Sequence, residues 1–313
     1  MLKRLKTVFR VARPAYAFQP FQVLKRMRLQ YLWQNKREAR VRLPWGLDIL
    51  VNPLEAIGSN IAAQGIYEIA VTEALWRLTD SGDLAVDIGA NFGYSASLLA
   101  VRVGHRGRVL CFEPHPEVFA ALQRNVELWK KDDRCGLFYL HQTALGEQTG
   151  RAFLHTSDWF WKNRGTAWVS LDEKGGPGET VYQVRFQTLD SILQTESVGI
   201  AKIDVEGNVL RVLQGMKNLL SHRRIRDIVF EEESPFPAAT HLLLKEHGYS
   251  IFGLEERFAG VSILADASPH FDRECGPVPN YLATLDPDRV TRRLTPSVWR
   301  SFGPAGRMLG DLH

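Results

Sequence analysis

The sequence predicts an α/β fold with a Rossmann-like, doubly wound and mostly parallel sheet, and three observations lead to that prediction. Residues 84–114 read as an apolar strand, a glycine turn, a helix and a second apolar strand that ends in an acid. Apolar strands alternating with amphipathic helices resume near residue 200. The 313 residues, 45% of them hydrophobic, suit one large domain with appendages. We therefore expect one core sheet with a ligand at the carboxyl ends of its strands.

The first 42 residues differ from the rest in charge. They hold twelve Lys or Arg and one acid, a net charge of +11, whereas the remainder holds 27 basic and 34 acidic residues. Apolar residues recur at helical spacing beside these bases, which suits an anionic membrane surface; a solvated helix packed on the domain or a disordered basic arm fits equally. Because the remaining body is net acidic, we expect no nucleic-acid partner.

Cysteine usage and apolar runs indicate the compartment. Cys111, Cys135 and Cys275 are widely spaced and form no C-x-x-C motif, which argues against a disulfide framework and a zinc site. No apolar run approaches the ~20 residues of a membrane-spanning helix. We expect a cytoplasmic protein, with peripheral contact at the inner membrane face if the basic extension binds lipid. An Arg-rich, acid-poor start also leaves a transit peptide open.

The domain is predicted to occupy residues 43–290 and to be followed by a tail at 291–313. Before the βαβ unit, the pattern indicates a short strand within 45–52 and a helix that ends near residue 80. After it, helical spacing marks 116–129. Strands are then predicted at 137–141, 200–205, 225–230, 249–254 and 281–285, and a helix at 242–247.

An insertion of β strands is expected at about 151–187. Three segments there alternate apolar and polar residues, and residues 175–178 are a glycine-rich turn. The same region holds the aromatic sequence 159–161 and Trp168. These rings either stack on a sugar face or an apolar acceptor over the active site, or form a small satellite core.

The glycine turn of the βαβ unit indicates the cofactor. Asp87 ends the first strand, Gly89 and Gly93 relieve the turn, and Glu113 follows Gly93 by twenty residues, where an acid accepts hydrogen bonds from a ribose diol. A dinucleotide-binding loop needs glycine where this chain has Asn91. The Asp87 carboxylate would repel a diphosphate and attract the ammonium group of a methionine-like ligand. The pattern therefore favours S-adenosylmethionine (SAM) over NAD, whose oxidoreductases are the alternative, together with a non-catalytic nucleotide-binding module.

Two acids after the fourth parallel strand are the catalytic candidates. In a strand order 3-2-1-4-5, that strand adjoins the first, which places Asp204 and Glu206 beside Asp87 and the reacting methyl group. They would orient the acceptor or remove its proton; helix N-capping and dipole compensation are the structural alternatives. Lys202 lies on the same side of the strand and is predicted to be an ion-pair partner.

No metal site is predicted. Residues 231–233 are three consecutive glutamates that would suit a divalent cation together with Asp204 or Glu206, but a solvated strand end is the preferred interpretation. No histidines pair at metal-ligand spacing, so His141 and His155 remain only possible bases. We expect turnover without a bound metal.

Several motifs together resemble the FkbM-type SAM-dependent methyltransferases over roughly residues 58–285. They are V-D-I-G-A-N-F-G-Y at 86–94, F-E-P at 112–114, T-A-L-G at 143–146, T-L-D at 188–190 and K-I-D-V-E-G at 202–207. The resemblance implies a seven-stranded class I methyltransferase sheet and O-methylation of a hydroxyl, on a glycan, glycolipid or polyketide-like acceptor. It also implies that Tyr67 and Glu68 belong to the cofactor pocket, with Thr143 and Ala144 at its adenine end. Thr143 departs from the asparagine that is frequent in the family.

Overall fold

The computed structural model describes residues 38–160, 167–257, 260–265, 279–295 and 299–301. An N-terminal hairpin and two helices precede the core: β1 Ala39–Arg42, β2 Asp48–Val51, α1 Ala56–Gln64 and α2 Ile69–Leu78. The βαβ unit and its continuation follow: β3 Leu84–Ile88, α3 Tyr94–Val103, β4 Arg108–Phe112, α4 Pro116–Trp129 and β5 Leu137–His141.

The insertion and the second half of the domain come next. The insertion contains β6 Ala144–Leu145, β7 Gly150–Thr156, β8 Ala167–Ser170 and β9 Thr180–Gln187. The chain then forms α5 Leu189–Ile192, β10 Val198–Ile203, α6 Val209–Gln214, α7 Lys217–Ser221, β11 Ile225–Glu231 and α8 Ala239–Glu246. It continues with β12 Ser250–Arg257, β13 Gly260–Ala265, β14 Asn280–Thr284 and α9 Pro287–Leu294.

The core sheet has the order β13-β12-β14-β11-β10-β3-β4-β5. The five strands from β11 to β5 are parallel, and β14, β12 and β13 are antiparallel. The predicted order 3-2-1-4-5 is confirmed, since β10 lies beside β3. The sheet has eight strands rather than the seven implied by the resemblance, because β13 folds back on β12 and places Val261 and Ile263 against the core.

Apolar layers cover both faces of the sheet. Strand β3 is buried at every position, as expected for a central parallel strand. One face packs against α2, α3, α4 and the N-terminal hairpin, and the other against α6, α7 and α8. The predicted insertion forms a separate four-stranded sheet of order β6-β9-β7-β8, whose long strands are antiparallel.

Packed residues lie beyond both predicted domain boundaries, at residues 43 and 290, which stay predictions. Ala39 and Val41 are buried while Arg40 and Arg42 are exposed, so β1 packs through one face. At the other end Leu294 and Trp299 belong to the core. The predicted basic extension lies mainly in residues 1–37, outside the described residues. Within the described residues, no helix is long and apolar enough to cross a membrane.

Candidate functional site

A cleft of about 250 Å³ lies at the carboxyl ends of β3, β4, β10 and β11, beside the point where the strand order reverses. Most of the sequence-predicted site residues line it: Tyr67, Glu68, Gly89, Asn91, Glu113, Asp204 and Glu206. The topology therefore brings together residues up to 139 positions apart in sequence, from Tyr67 to Glu206. The cleft is the candidate active site.

The glycine loop packs directly against the end of β10. Gly89 has φ +76°, and a Cβ atom there would lie 1.9 Å from the carbonyl oxygen of Asp204. The N–H groups of Gly89 and Ala90 both donate to the Phe112 carbonyl, at 3.0 Å each. Asn91 also takes a left-handed conformation, with φ +50°. The loop is thus held between β4 and β10, and its close approach to β10 requires glycine at position 89.

Gly93 serves the shape of the loop. It has φ +97°, and a Cβ atom would lie 2.8 Å from the Leu122 side chain and 3.0 Å from that of Trp129. Gly93 is not among the residues that line the cleft. A glycine is needed at position 93 because the start of α3 packs closely on α4.

Glu113 connects β4 to the glycine loop. Its side chain is buried and accepts hydrogen bonds from the backbone N–H groups of Asn91, at 3.0 Å, and His115, at 2.9 Å. Burial raises the pKa of Glu113 to about 7, against the opposing effect of these two hydrogen bonds. Each carboxylate oxygen keeps a lone pair beyond the bond it accepts, which fits the two hydroxyls of a ribose.

Asp87 is fully buried, and neither carboxylate oxygen has a hydrogen-bond partner within the described residues. Burial raises its pKa to about 6, while the nearby Lys202 ammonium opposes the rise. The nearby Ala96 N–H also opposes the rise in pKa, although it makes no hydrogen bond of good geometry to Asp87. Within the described residues Asp87 is not among those that line the cleft, so its negative charge, rather than a direct hydrogen bond, would attract a cationic ligand there, such as the methionine ammonium of SAM.

Lys202 is the cation at the centre of these acids. Its Nζ lies 2.6 Å from Asp204 Oδ2, which confirms the predicted ion pair. Burial alone would lower the Lys202 pKa, but Asp204, Asp87 and Glu68 outweigh it and raise the pKa. Burial also raises the pKa of Glu68 to about 7, with a contribution from Asp204. The cleft thus carries excess negative charge, which favours a cationic ligand.

Glu231 is a site residue that the sequence interpretation missed. The sequence pattern favours a solvated strand end at this position, but Glu231 lines the cleft, and burial with the charges of Asp204 and Glu68 raises its pKa to about 8. Glu206 is more exposed; desolvation and the neighbouring Asp204 and Glu233 raise its pKa to about 7. The predicted strand order could have indicated Glu231. Strand β11, which ends at Glu231, lies beside β10, and Asp204 directly follows β10.

Thr143 and Ala144 are not brought into the cleft. Thr143 lines a neighbouring cavity of about 430 Å³ between the end of β5 and β9, and Pro114 lines both cavities. The Thr143 hydroxyl donates to the Arg185 carbonyl at 3.1 Å. Ala144 is buried in β6 beside Phe186. The assignment of Thr143 and Ala144 to the adenine end of the cofactor stays a prediction. It requires the adenine to lie in this neighbouring cavity.

The insertion forms an apolar wall of the cleft. Leu154, Phe160, Ala167 and Val169 line this side. Phe160 is buried and stacks on His115, with ring centroids 4.5 Å apart. Trp159 is 66% exposed, and residues 161–166 lie outside the described residues. Of the predicted aromatic group, Phe160 therefore faces the site.

Neither histidine proposed as a base reaches the cleft. His141 stacks on Phe112 and lines the neighbouring cavity with Thr143. His155 is buried in the insertion, where a ring nitrogen bonds the Asp172 carbonyl at 2.9 Å. Within the described residues, no group of three or more His, Cys, Asp or Glu has an arrangement that could hold a metal ion. Metal-independent turnover stays a prediction.

Comparison with known proteins identifies related sequences. A family model for the Methyltransferase FkbM domain matches residues 87–251, just over half of the chain. The methyltransferase sdnD of Sordaria araneosa is 28% identical over 225 residues, which cover 62% of this chain and 84% of that protein. The hexuronic acid methyltransferase AglP of Haloferax volcanii is 25% identical over 185 residues, 54% of this chain and 70% of that protein.

Solved structures also resemble the chain. A methyltransferase FkbM from Methylobacillus flagellatus is 18% identical, with a TM-score of 0.40; the match covers 64% of this chain but only 43% of that one. A SAM-dependent O-methyltransferase from Thermotoga maritima is 11% identical, with a TM-score of 0.39, and the match covers 82% of this chain and 80% of that one.

Proposed function

This chain belongs to the FkbM methyltransferase family and uses SAM, and from that premise we propose that it methylates a hydroxyl group of a glycan, glycolipid or polyketide-like acceptor. The observation that carries the proposal is that the cleft shares lining residues with a further cavity, distinct from the one lined by Thr143. A second cavity of about 180 Å³ adjoins the cleft, and Val205, Glu206 and Glu231 line both. An acceptor in the second cavity would therefore meet the cofactor beside two carboxylates.

The residues of the cleft fit the proposed cofactor. The sulfonium of bound SAM supplies the transferable methyl group. Glu113 is proposed to accept from the ribose hydroxyls, and the buried Asp87 to attract the methionine ammonium through its negative charge. Tyr67 and Glu68 are proposed to close the same pocket, where the Glu68 carboxylate attracts the positive charge of the cofactor.

The second cavity suits an acceptor that offers hydroxyl donors. Four glutamates line it, at positions 206, 231, 232 and 233, and no Lys or Arg is among its lining residues. Carboxylates accept hydrogen bonds from hydroxyls and repel other carboxylates. The similarity to a hexuronic acid methyltransferase supports a sugar acceptor, and the charge of this cavity favours a neutral sugar over a uronic acid.

Proton removal from the acceptor is assigned to Glu206 or Glu231. Raised pKa values of about 7 and about 8 suit a general base near neutral pH. Asp204, held by Lys202, is proposed to orient the acceptor hydroxyl. Positioning supplies more of the rate than the base does, since alignment contributes ~7 to 11 kcal/mol and a base ~10² to 10⁴-fold.

The proposal is tested with purified protein, SAM labelled in its methyl group, and a panel of neutral sugars, uronic acids, glycolipids and amines. We expect label in a methyl ether of a neutral hydroxyl acceptor, and no binding of NAD in calorimetry. Transfer to amines alone, or binding of NAD in place of SAM, would contradict the proposal.

Replacing Glu113 with alanine is expected to weaken SAM binding by ~1.5 to 3 kcal/mol, because the ribose loses a charged acceptor. Calorimetry measures the change. Glu113→Gln keeps an acceptor oxygen, so its SAM affinity should fall less than that of Glu113→Ala. Glu117→Ala, which removes an exposed acid on the adjoining helix, is the matched control and should bind normally. Equal affinity of Glu113→Ala and the control would remove Glu113 from the ribose site.

The rate of methyl transfer is expected to rise with pH through about 7 to 8, because the base must be deprotonated. Glu231→Gln or Glu206→Gln should lower kcat by ~10² to 10⁴-fold and abolish this rise, with SAM affinity nearly unchanged. Glu246→Gln, an exposed acid at the end of α8, is the control. If both variants keep kcat within twofold of the wild type, the base lies elsewhere.

A further inference from the structure

A closed ring of hydrogen bonds joins Tyr67, which precedes α2, to Thr72 in α2 and Tyr94 at the start of α3. The Tyr67 N–H donates to Tyr94 Oη at 2.9 Å, and the Thr72 hydroxyl donates to the Tyr67 carbonyl at 2.7 Å. The Tyr94 and Thr72 hydroxyl oxygens are 3.1 Å apart. Because Thr72 directs its proton to Tyr67, the proton between the two hydroxyls comes from Tyr94. Each residue thus donates once and accepts once, and hydrogen bonds arranged in this way strengthen one another.

The two hydroxyl-bearing residues of the ring are buried, and with Tyr67 and Glu68 they line a small cavity of about 30 Å³. Thr72 is 1% exposed and Tyr94 is 7% exposed. The Tyr94 ring is contacted edge-on by Trp45, at 5.3 Å between centroids, and by Tyr67, at 6.3 Å. Each hydroxyl of this largely buried ring constrains the backbone of Tyr67.

The backbone fixed by this ring leads directly to Glu68. Glu68 has φ +43° and ψ +67°, a left-handed conformation that is rare for a residue with a side chain. Its carbonyl accepts from the Thr72 N–H at 2.8 Å. Both polar groups of the preceding residue and the carbonyl of Glu68 itself are therefore held. Such conformations persist where the surrounding structure determines them, and they cluster at ligand sites.

We propose that Thr72 and Tyr94 are positioning residues for cofactor binding, which act by holding the Glu68 carboxylate in the cleft. The inference rests on the proposed role of Glu68 and extends it to two hydroxyls that sequence patterns did not indicate. Glu68 faces Asp204 and Lys202 across the cleft, so its orientation decides how much negative charge meets the cofactor.

The test begins with Thr72→Val, which removes the hydroxyl and preserves the shape of the side chain. Calorimetry should show SAM binding about tenfold weaker than in the wild type. Thr72→Ser restores the hydroxyl and should bind within about twofold of the wild type. The matched control is Thr79→Val, which removes a buried hydroxyl at the other end of α2, where it donates to Leu75, and should leave SAM affinity unchanged.

A double-mutant cycle separates positioning from general damage. In a Glu68→Ala background, Thr72→Val should change SAM affinity less than about twofold, because there is no carboxylate left to position. Tyr94→Phe, as a second variant, should show the same dependence on Glu68. Unchanged affinity of Thr72→Val and Tyr94→Phe, or equal losses with and without Glu68, would overturn the inference. Failure of the wild-type protein to bind SAM would instead contradict the proposed function.

Discussion

Gly89→Ala is expected to abolish detectable SAM binding, with a loss of more than about 100-fold in affinity and a decrease in folding stability of several kcal/mol. The added Cβ would lie 1.9 Å from the Asp204 carbonyl oxygen, well inside van der Waals contact, and φ +76° is itself unfavourable for alanine. The loop or the end of β10 must move. Either movement displaces the residues that face the cofactor.

Gly82→Ala is the matched control for this substitution. Gly82 has φ +87°, similar to Gly89, but an added Cβ would meet no atom within 4 Å. The Gly82→Ala variant should therefore lose ~1 kcal/mol of folding stability from backbone strain and keep the SAM affinity of the wild type. Calorimetry and urea unfolding on both variants separate strain from steric displacement. If Gly89→Ala bound SAM as well as Gly82→Ala does, the close approach would not govern the site.

Arg289→Ala is expected to lower the free energy of unfolding by ~3 to 5 kcal/mol, the usual cost of breaking a buried ion pair. Arg289 bonds Asp227 at 2.8 Å, Asp80 at 2.7 Å and the Leu78 carbonyl at 2.6 Å. Asp227 is fully buried and would be left with Arg226 and Thr284 as its partners. These contacts connect α9 to α2 and β11.

Arg292→Ala on the same helix is the control for that loss, because Arg292 is exposed and should change stability by less than about 0.5 kcal/mol. The comparison is made by urea unfolding. SAM affinity of folded Arg289→Ala should stay near the wild-type value, since none of the residues of this network lines the cleft. Equal stability of the two variants would show that the network is not stabilising.

Local patterns in the sequence were enough for the elements around the glycine loop. Helical spacing predicted 116–129 and strand alternation predicted 137–141, and both match the structure. The loop residues and Glu113 also lie together as predicted, because a strand, a turn and a helix of adjacent sequence place them there. Alternation along β10 also placed Lys202 on the same side as Asp204, with which it forms the predicted ion pair.

Predictions failed where the outcome depended on contacts distant in sequence. The β13 hairpin was missed, and the burial of Ala39, Leu294 and Trp299 was not predicted, because that burial is decided by partners far along the chain. Thr143 lies outside the cleft because β6 pairs with β9 of the insertion, which turns it toward Arg185.

The sequence by itself indicated the family, through motifs spread over residues 58–285, and favoured SAM as the cofactor, since a glycine loop and an acid at fixed spacing within one βαβ unit specify a local geometry. The tertiary structure alone decided that Glu231 shares the cleft, that Phe160 covers it, and that Thr72 and Tyr94 hold the backbone before Glu68. The physical reason is that strand order and side-chain packing join residues with no regular spacing in sequence, and burial then changes their pKa values and hydrogen bonds.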